Sequence, residues 1–129
     1  MAEVETGDIV KAHYRSGTYF GEVIEDRGDH YLIKVLAVKK HPLQGDLHNM
    51  NQTENVFFHE RKALAFHEKM NVKKPAVHVY DEAAPSYSES LKQAVQEYRS
   101  KLQKENTAYN EKALEVLNRL EKEVYLKLY

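Results

Sequence analysis

His59 and His67 carry the most suggestive chemistry in this sequence. Residues 57–68, FFHERKALAFHE, contain the tripeptide Phe-His-Glu twice, with the two imidazoles eight positions apart. Imidazole is a common metal ligand, and a His-Glu unit followed by basic residues also looks like the start of a phospho-accepting histidine box.

A metal site needs donor atoms within roughly 2 Å of one ion. On a helix, eight residues mean about 12 Å of rise and about 80° of rotation, and on a single strand about 26 Å. A hairpin turning at Glu60-Arg61-Lys62 leaves His67 about four positions along the partner strand. Distant donors such as His41 or His48 would have to complete the site, and the seven histidines follow no recognised ligand spacing. No metal and no cofactor are expected. For phosphotransfer, His59, Glu60 and Lys62 match the box, but Arg61 occupies its apolar position and no proline follows. A kinase would also need an ATP-binding domain and a glycine-rich phosphate loop, for which 129 residues leave no room. The remaining reading is structural. Phe58 with Leu64 or Phe66 fills a core, and His59, Glu60, Arg61 and Lys62 form a polar turn between two strands.

Lys39-Lys40 and Lys73-Lys74 sit in matching contexts, VKKHP and VKKP. Brought together, they would present a positive patch to nucleic acid, phosphate or an acidic protein face. Kept apart, they protect strand ends from edge pairing. Tyr14, Tyr19 and Phe20 flank Ser16-Gly17 and suggest an aromatic groove or cage for a proline-rich peptide or a methylated cation, although at least one of the three must serve the core. Val124, Leu128 and Tyr129 in the final EVYLKLY are apolar on more than one side, which suggests a partner contact or a homodimer seam through the C-terminal helices.

Composition limits these options. The 129 residues carry 19 basic and 20 acidic side chains, net charge -1, with a mean hydropathy of -0.70. That balance lacks the bulk attraction on which non-specific nucleic-acid binding rests. There is no cysteine, which removes disulfides, thiolate metal sites, cysteine nucleophiles and lipid attachment to a cysteine. The N-terminal MAEVETGDIV is acidic and without an apolar run, unlike a secretory signal. No stretch reaches the roughly 20 apolar residues that span a bilayer. A cytoplasmic protein is expected.

All five glycines precede residue 80, and after Pro85 neither glycine nor proline recurs. This predicts a β-rich unit over residues 1–80 and a two-helix segment over 81–129. Val10, Ala12 and Tyr14 alternate against Lys11 and His13 as in a half-buried strand. Ser16-Gly17 marks a turn, and residues 26–29, DRGD, mark another with Gly28 at a positive φ. Residues 30–38, HYLIKVLAV, are apolar on both parities, as in a strand covered on both sides. Short strands and tight turns suggest a small, strongly bent barrel. Residues 41–55 are the longest irregular stretch, a surface excursion or a binding loop. Ser86 and Glu89 have capping-box spacing behind Pro85. Leu91, Val95, Tyr98 and Leu102 then form one helical face, and Tyr109, Ala113, Val116, Leu117, Leu120, Val124 and Leu128 another. Glu97-Lys101, Glu115-Arg119 and Glu123-Lys127 are favourable i,i+4 pairs. A break near Asn106-Thr107, with Thr107 as cap, gives a hairpin; one continuous helix would be about 60 Å long and would need a partner helix.

Residues 7–25, GDIVKAHYRSGTYFGEVIE, resemble the first hairpin of SH3-like barrels, Tudor domains included. With HPLQGDLHN, FFHERKALAFHEKMNV, AVHVY and the amphipathic tail, the chain resembles the kinase-associated protein B family over essentially its full length. That resemblance implies an α+β fold, a small SH3-like β-barrel followed by a C-terminal helical hairpin. It also implies a non-catalytic accessory protein that binds and supports the activation or expression of a sensor histidine kinase in the sporulation phosphorelay. No catalytic residues carry over. The family name sometimes includes "lipoprotein", from which a chain without cysteine departs; membrane association would run through the kinase. The rival reading is an SH3/Tudor-like module that binds nucleic acid or peptide through the lysine loops or the aromatic surface.

Overall fold

The structure, a computed structural model, describes residues 4–45 and 58–129. Phe57, His48 and all but the first five positions of the expected 41–55 loop lie outside these residues.

Three long strands form a meander: β1 (Ile9–Tyr14), β2 (Gly17–Asp26) and β3 (His30–Lys40). In β1, Val10 and Ala12 are fully buried while His13 is exposed, as the alternation requires. Tyr14 pairs with Gly17, so the tight turn is Arg15-Ser16, one residue earlier than expected. Arg15 takes the left-handed conformation there, φ 54°. The second turn follows the expected chemistry: Gly28 has φ +91°, and Asp26 Oδ1 accepts its N–H at 3.0 Å.

The register of β2 on β3 shifts at three places, and such bulges bend a sheet. Gly21 sits at one of them. A Cβ there would collide with the Ile33 side chain and lie 2.7 Å from the Lys34 carbonyl oxygen. The bend depends on that close approach.

β4 (Lys69–Lys73), a 3-10 turn (Lys74–Ala76) and β5 (Val77–Val79) complete the sheet. All pairings are antiparallel, in the order β4-β3-β2-β1-β5. The sheet is open, with β4 and β5 as its edges, whereas a closed barrel was expected. Cover comes from elsewhere. Val10, Ile33 and Val35 share one core with Ala63, Leu91, Val95 and Leu117, so the helices and an irregular segment protect apolar surface that closure would otherwise hide.

The helix starts and apolar faces follow their sequence signals, but among the described residues none of the expected pairs Glu97-Lys101, Glu115-Arg119 and Glu123-Lys127 forms an ion pair. In α1 (Tyr87–Gln103), Ser86 Oγ accepts the Glu89 N–H. In α2 (Ala108–Leu120), Thr107 Oγ1 accepts the Asn110 N–H at 3.0 Å. Leu91, Val95, Tyr98 and Leu102 on α1 and Tyr109, Ala113, Val116, Leu117 and Leu120 on α2 are all buried. Arg99 clamps the pair, reaching Glu121 at 2.6 Å and Asn118 at 3.2 Å. A π-helical turn (Glu121–Tyr125) and a 3-10 turn (Leu126–Leu128) extend α2. Arg119 pairs with Glu60 at 3.1 Å rather than with Glu115 on its own helix. That contact ties α2 to the histidine doublet.

The doublet departs from expectation. Residues 58–65 form neither strand nor hairpin. Ala63 is buried, Phe58 and Leu64 are half-buried, and Phe66 is 51% exposed, stacked on His67 with ring centroids 3.7 Å apart. The core therefore takes Ala63, with Leu64 and Phe58 packed against it, and leaves Phe66 outside. The reason lies in the partners of this backbone.

Candidate functional site

A groove runs between the outer face of the sheet and α1. Lys11 and His13 of β1 project to the same face as Thr18 and Phe20 of β2, because Lys11 pairs with Phe20 and His13 with Thr18. His13 Nδ1 lies 3.0 Å from Thr18 Oγ1. Ala94, Glu97, Tyr98 and Lys101 on α1 form the opposite wall at spacings of three and four residues. Lys39, Lys40, His41 and Leu43 close the end, and the cleft so formed measures about 270 Å³. Ser90 Oγ accepts the Val38 N–H at 3.0 Å and holds α1 against β3. A second cleft of about 240 Å³ shares Lys39, Ala94 and Glu97 and continues past Phe20 and Tyr80 to Glu89. Phe20 and Tyr80 pack with ring centroids 4.7 Å apart.

The groove is electrostatically lopsided. Lys11, Lys39, Lys40 and Lys101 rim the first cleft against one carboxylate, Glu97. Among the described residues none of the four lysines forms an ion pair. Glu97 stands where the two clefts meet, and the other end carries Glu89.

Of the residues singled out by sequence, the fold brings Phe20, Lys39 and Lys40 into this groove and scatters the rest. Of the two alternatives for the lysine pairs, the structure keeps them apart and forms no joint patch. Lys40 stands at one end of β3, opposite Thr18, and Lys73 at the other, opposite His30; ten strand positions separate them by about 30 Å. Lys74 bonds to Asp26 at 2.9 Å, which holds that carboxyl below its usual range, and lies 4.9 Å from the Tyr31 ring centre.

Tyr14, Tyr19 and Phe20 do not form a cage, and one of them serves the core as the sequence required. Tyr19 and Phe20 are consecutive on a strand and point to opposite faces. Tyr19 is a core residue, 2% exposed. Tyr14 lies beside it in a separate cleft lined by Arg15, Arg61 and Lys62. At the C-terminus, Val124 and Tyr129 are half-buried and Leu128 is 43% exposed. Tyr129 donates to Glu121 at 3.0 Å. Tyr125, absent from the expected contact set, is the buried anchor.

Tyr125 leads to a polar seam that sequence reasoning missed. Ala63 N–H donates to the Tyr125 hydroxyl at 2.9 Å, and that oxygen lies 2.8 Å from His41 Nε2. His41 Nδ1 lies 2.8 Å from the Pro42 carbonyl, which can only accept, so Nδ1 carries the proton and Nε2 accepts from Tyr125. The relay fixes the neutral imidazole, and burial pushes its pKa down to about 4. The Gln44 amide pairs with the Arg61 backbone like a strand partner, donating to its carbonyl at 2.8 Å and accepting its N–H at 2.7 Å. Tyr98 accepts the Gln44 N–H at 2.9 Å, and Tyr109 donates to the Gln44 carbonyl. Tyr19 and Tyr87 bind the N–H and C=O of Leu64 at 3.3 and 2.7 Å. Residues 41–45 and 58–65 lack a regular hydrogen-bond ladder, and tyrosines supply it: ring to the core, hydroxyl to the backbone. Burial raises the pKa of Tyr19, Tyr87 and Tyr98 to about 12. Nine tyrosines and no tryptophan was the one available signal.

Among the described residues no three His, Cys, Asp or Glu side chains converge on a metal-sized point. No described helix is long and apolar enough to cross a membrane.

The family model for kinase associated protein B matches residues 14–125. The chain belongs to the kinase associated protein B family. It is 46% identical over 125 residues to the kinase-associated lipoprotein B of Bacillus subtilis (strain 168), covering 97% of this chain and 98% of that one. A crystal structure of kinase-associated protein B from Bacillus cereus superposes with a TM-score of 0.78 at 36% identity, over 93% of this chain and 96% of that chain. The 129 residues contain no cysteine on which the lipid implied by the Bacillus subtilis name could be carried.

Proposed function

We propose that this protein is a non-catalytic accessory factor that binds a sensor histidine kinase of the sporulation phosphorelay and supports its activation or expression. The family match across residues 14–125 carries this reading. The geometry suits it, because the buried histidine and tyrosines are committed to holding irregular backbone in shape, as a recognition scaffold requires. The strand order β4-β3-β2-β1-β5, with a 3-10 turn before β5, supports an SH3-like barrel left unclosed. The protein works in the cytoplasm and meets a membrane only through its kinase. Binding shifts the kinase towards its active conformation by differential affinity for that state.

Co-purification with the cytoplasmic part of a sporulation kinase, followed by autophosphorylation, tests the reading. The kinase is expected to be retained and its phosphorylation to rise. Neither retention nor a change in phosphorylation would overturn it. A second copy of the chain is the other candidate partner, because Leu126 and Leu128 are 57% and 43% exposed. Light scattering that returns a single 15.0 kDa chain at all concentrations rejects the dimer.

A further inference from the structure

The four groove lysines, which form no ion pair among the described residues, leave a local excess of positive charge. Lys11, Lys39, Lys40 and Lys101 come from β1, β3 and α1, yet rim one cleft whose floor is Leu43, Ala94 and Tyr98. Like charges held together raise a local positive potential that an incoming anion relieves. Free phosphate fits poorly. Lysines are point charges on flexible stems, without the forked guanidinium geometry that grips a phosphate at two points, and the floor of Leu43, Ala94 and Tyr98 offers a small anion nothing. Nucleic acid fits poorly as well. The groove runs past Glu97, where the two clefts meet, to Glu89, and both would face any phosphate backbone that followed it, while the whole chain is net negative. What matches is a segment with carboxylates towards the lysines and apolar side chains for the floor and for Phe20 and Tyr80.

We propose that this groove seats an acidic, apolar-interleaved segment of a partner protein, with its carboxylates at the Lys39-Lys40 end. The inference rests on the accessory reading above for its biological partner, though not for its chemistry. Charge complementarity selects the occupant, and the opposite sign at the Glu89 end fixes its direction.

Fluorescence anisotropy with a labelled synthetic peptide of alternating glutamate and leucine tests this directly. Binding is expected to weaken as salt rises. It should fall about tenfold or more in Lys39→Glu/Lys40→Glu, and similarly in Lys11→Glu/Lys101→Glu. Both variants change exposed or half-buried surface lysines, and their thermal melts report whether they fold. Lys73→Glu, about 30 Å along the strand, should leave binding unchanged. No binding by the folded wild type, equal binding by the folded variants, or equal displacement by inorganic phosphate or a DNA oligonucleotide each overturns the proposal. Kinase co-purification separates the two readings. A kinase retained equally by wild type and Lys39→Glu/Lys40→Glu removes the groove and leaves the accessory role standing. A kinase retained by neither removes the accessory role, and the peptide measurement then decides the groove.

Discussion

The seam and the groove meet at His41 and Tyr98, yet they handle polarity in opposite ways. In the seam, polar atoms are buried and each has a partner within a closed network. In the groove, Lys39, Lys40 and Lys101 stand exposed and Lys11 half-buried around an apolar floor, and among the described residues none of them forms an ion pair. An unpaired polar group costs little where water reaches it and much where it does not. The seam is therefore expected to control stability and the groove to control binding.

Tyr125→Ala should cause the largest change, because it opens a cavity and orphans both the Ala63 N–H and His41. Chemical denaturation is expected to show a loss of about 4 kcal/mol. Tyr125→Phe keeps the ring, so its loss should be about 1–3 kcal/mol. A Tyr125→Phe protein as stable as wild type would break the contrast at its centre.

The pH profile offers the next largest effect. His41 falls from its ordinary 6.5 to about 4 in the folded state because burial disfavours the cation. Between those values the unfolded chain binds more protons than the folded one. Stability from this group is present above pH 6.5 and is lost as pH falls towards 4, on the order of 3 kcal/mol in all. Denaturant titrations at several pH values should show this slope, and His41→Gln should flatten it. An unchanged slope in the variant would assign acid sensitivity elsewhere.

Gln44→Leu keeps the volume of the side chain but removes both partners of the Arg61 backbone, for an expected loss of about 2 kcal/mol by calorimetry. The smallest effect belongs to the groove: Lys39→Glu/Lys40→Glu should stay within about 0.5 kcal/mol of wild type. A large loss of stability there would mean that these lysines brace the fold, and the two regions would no longer differ in kind.

Local sequence determined what local physics can determine. Ser86 and Thr107 announce two helix starts because the capping hydroxyl lies three residues from the N–H that it accepts. The helical stripes and the Val10-Ala12 alternation were legible because their periods, 3.6 and 2, are properties of the backbone. The Asp26-Gly28 turn was legible because an aspartate accepts the N–H two residues on and glycine takes the positive φ.

Only the tertiary structure decided the rest. Lys39-Lys40 and Lys73-Lys74 are near-identical in sequence context, and the register of β3 sends them to opposite ends of a strand. Phe58, Leu64 and Phe66 looked like strand residues, but residues 58–65 are held by tyrosines rather than by a ladder. Tyr125 lies 62 positions from Ala63 and 84 from His41. No window of sequence contains such a bond, because its strength depends on burial that exists only after the chain has folded.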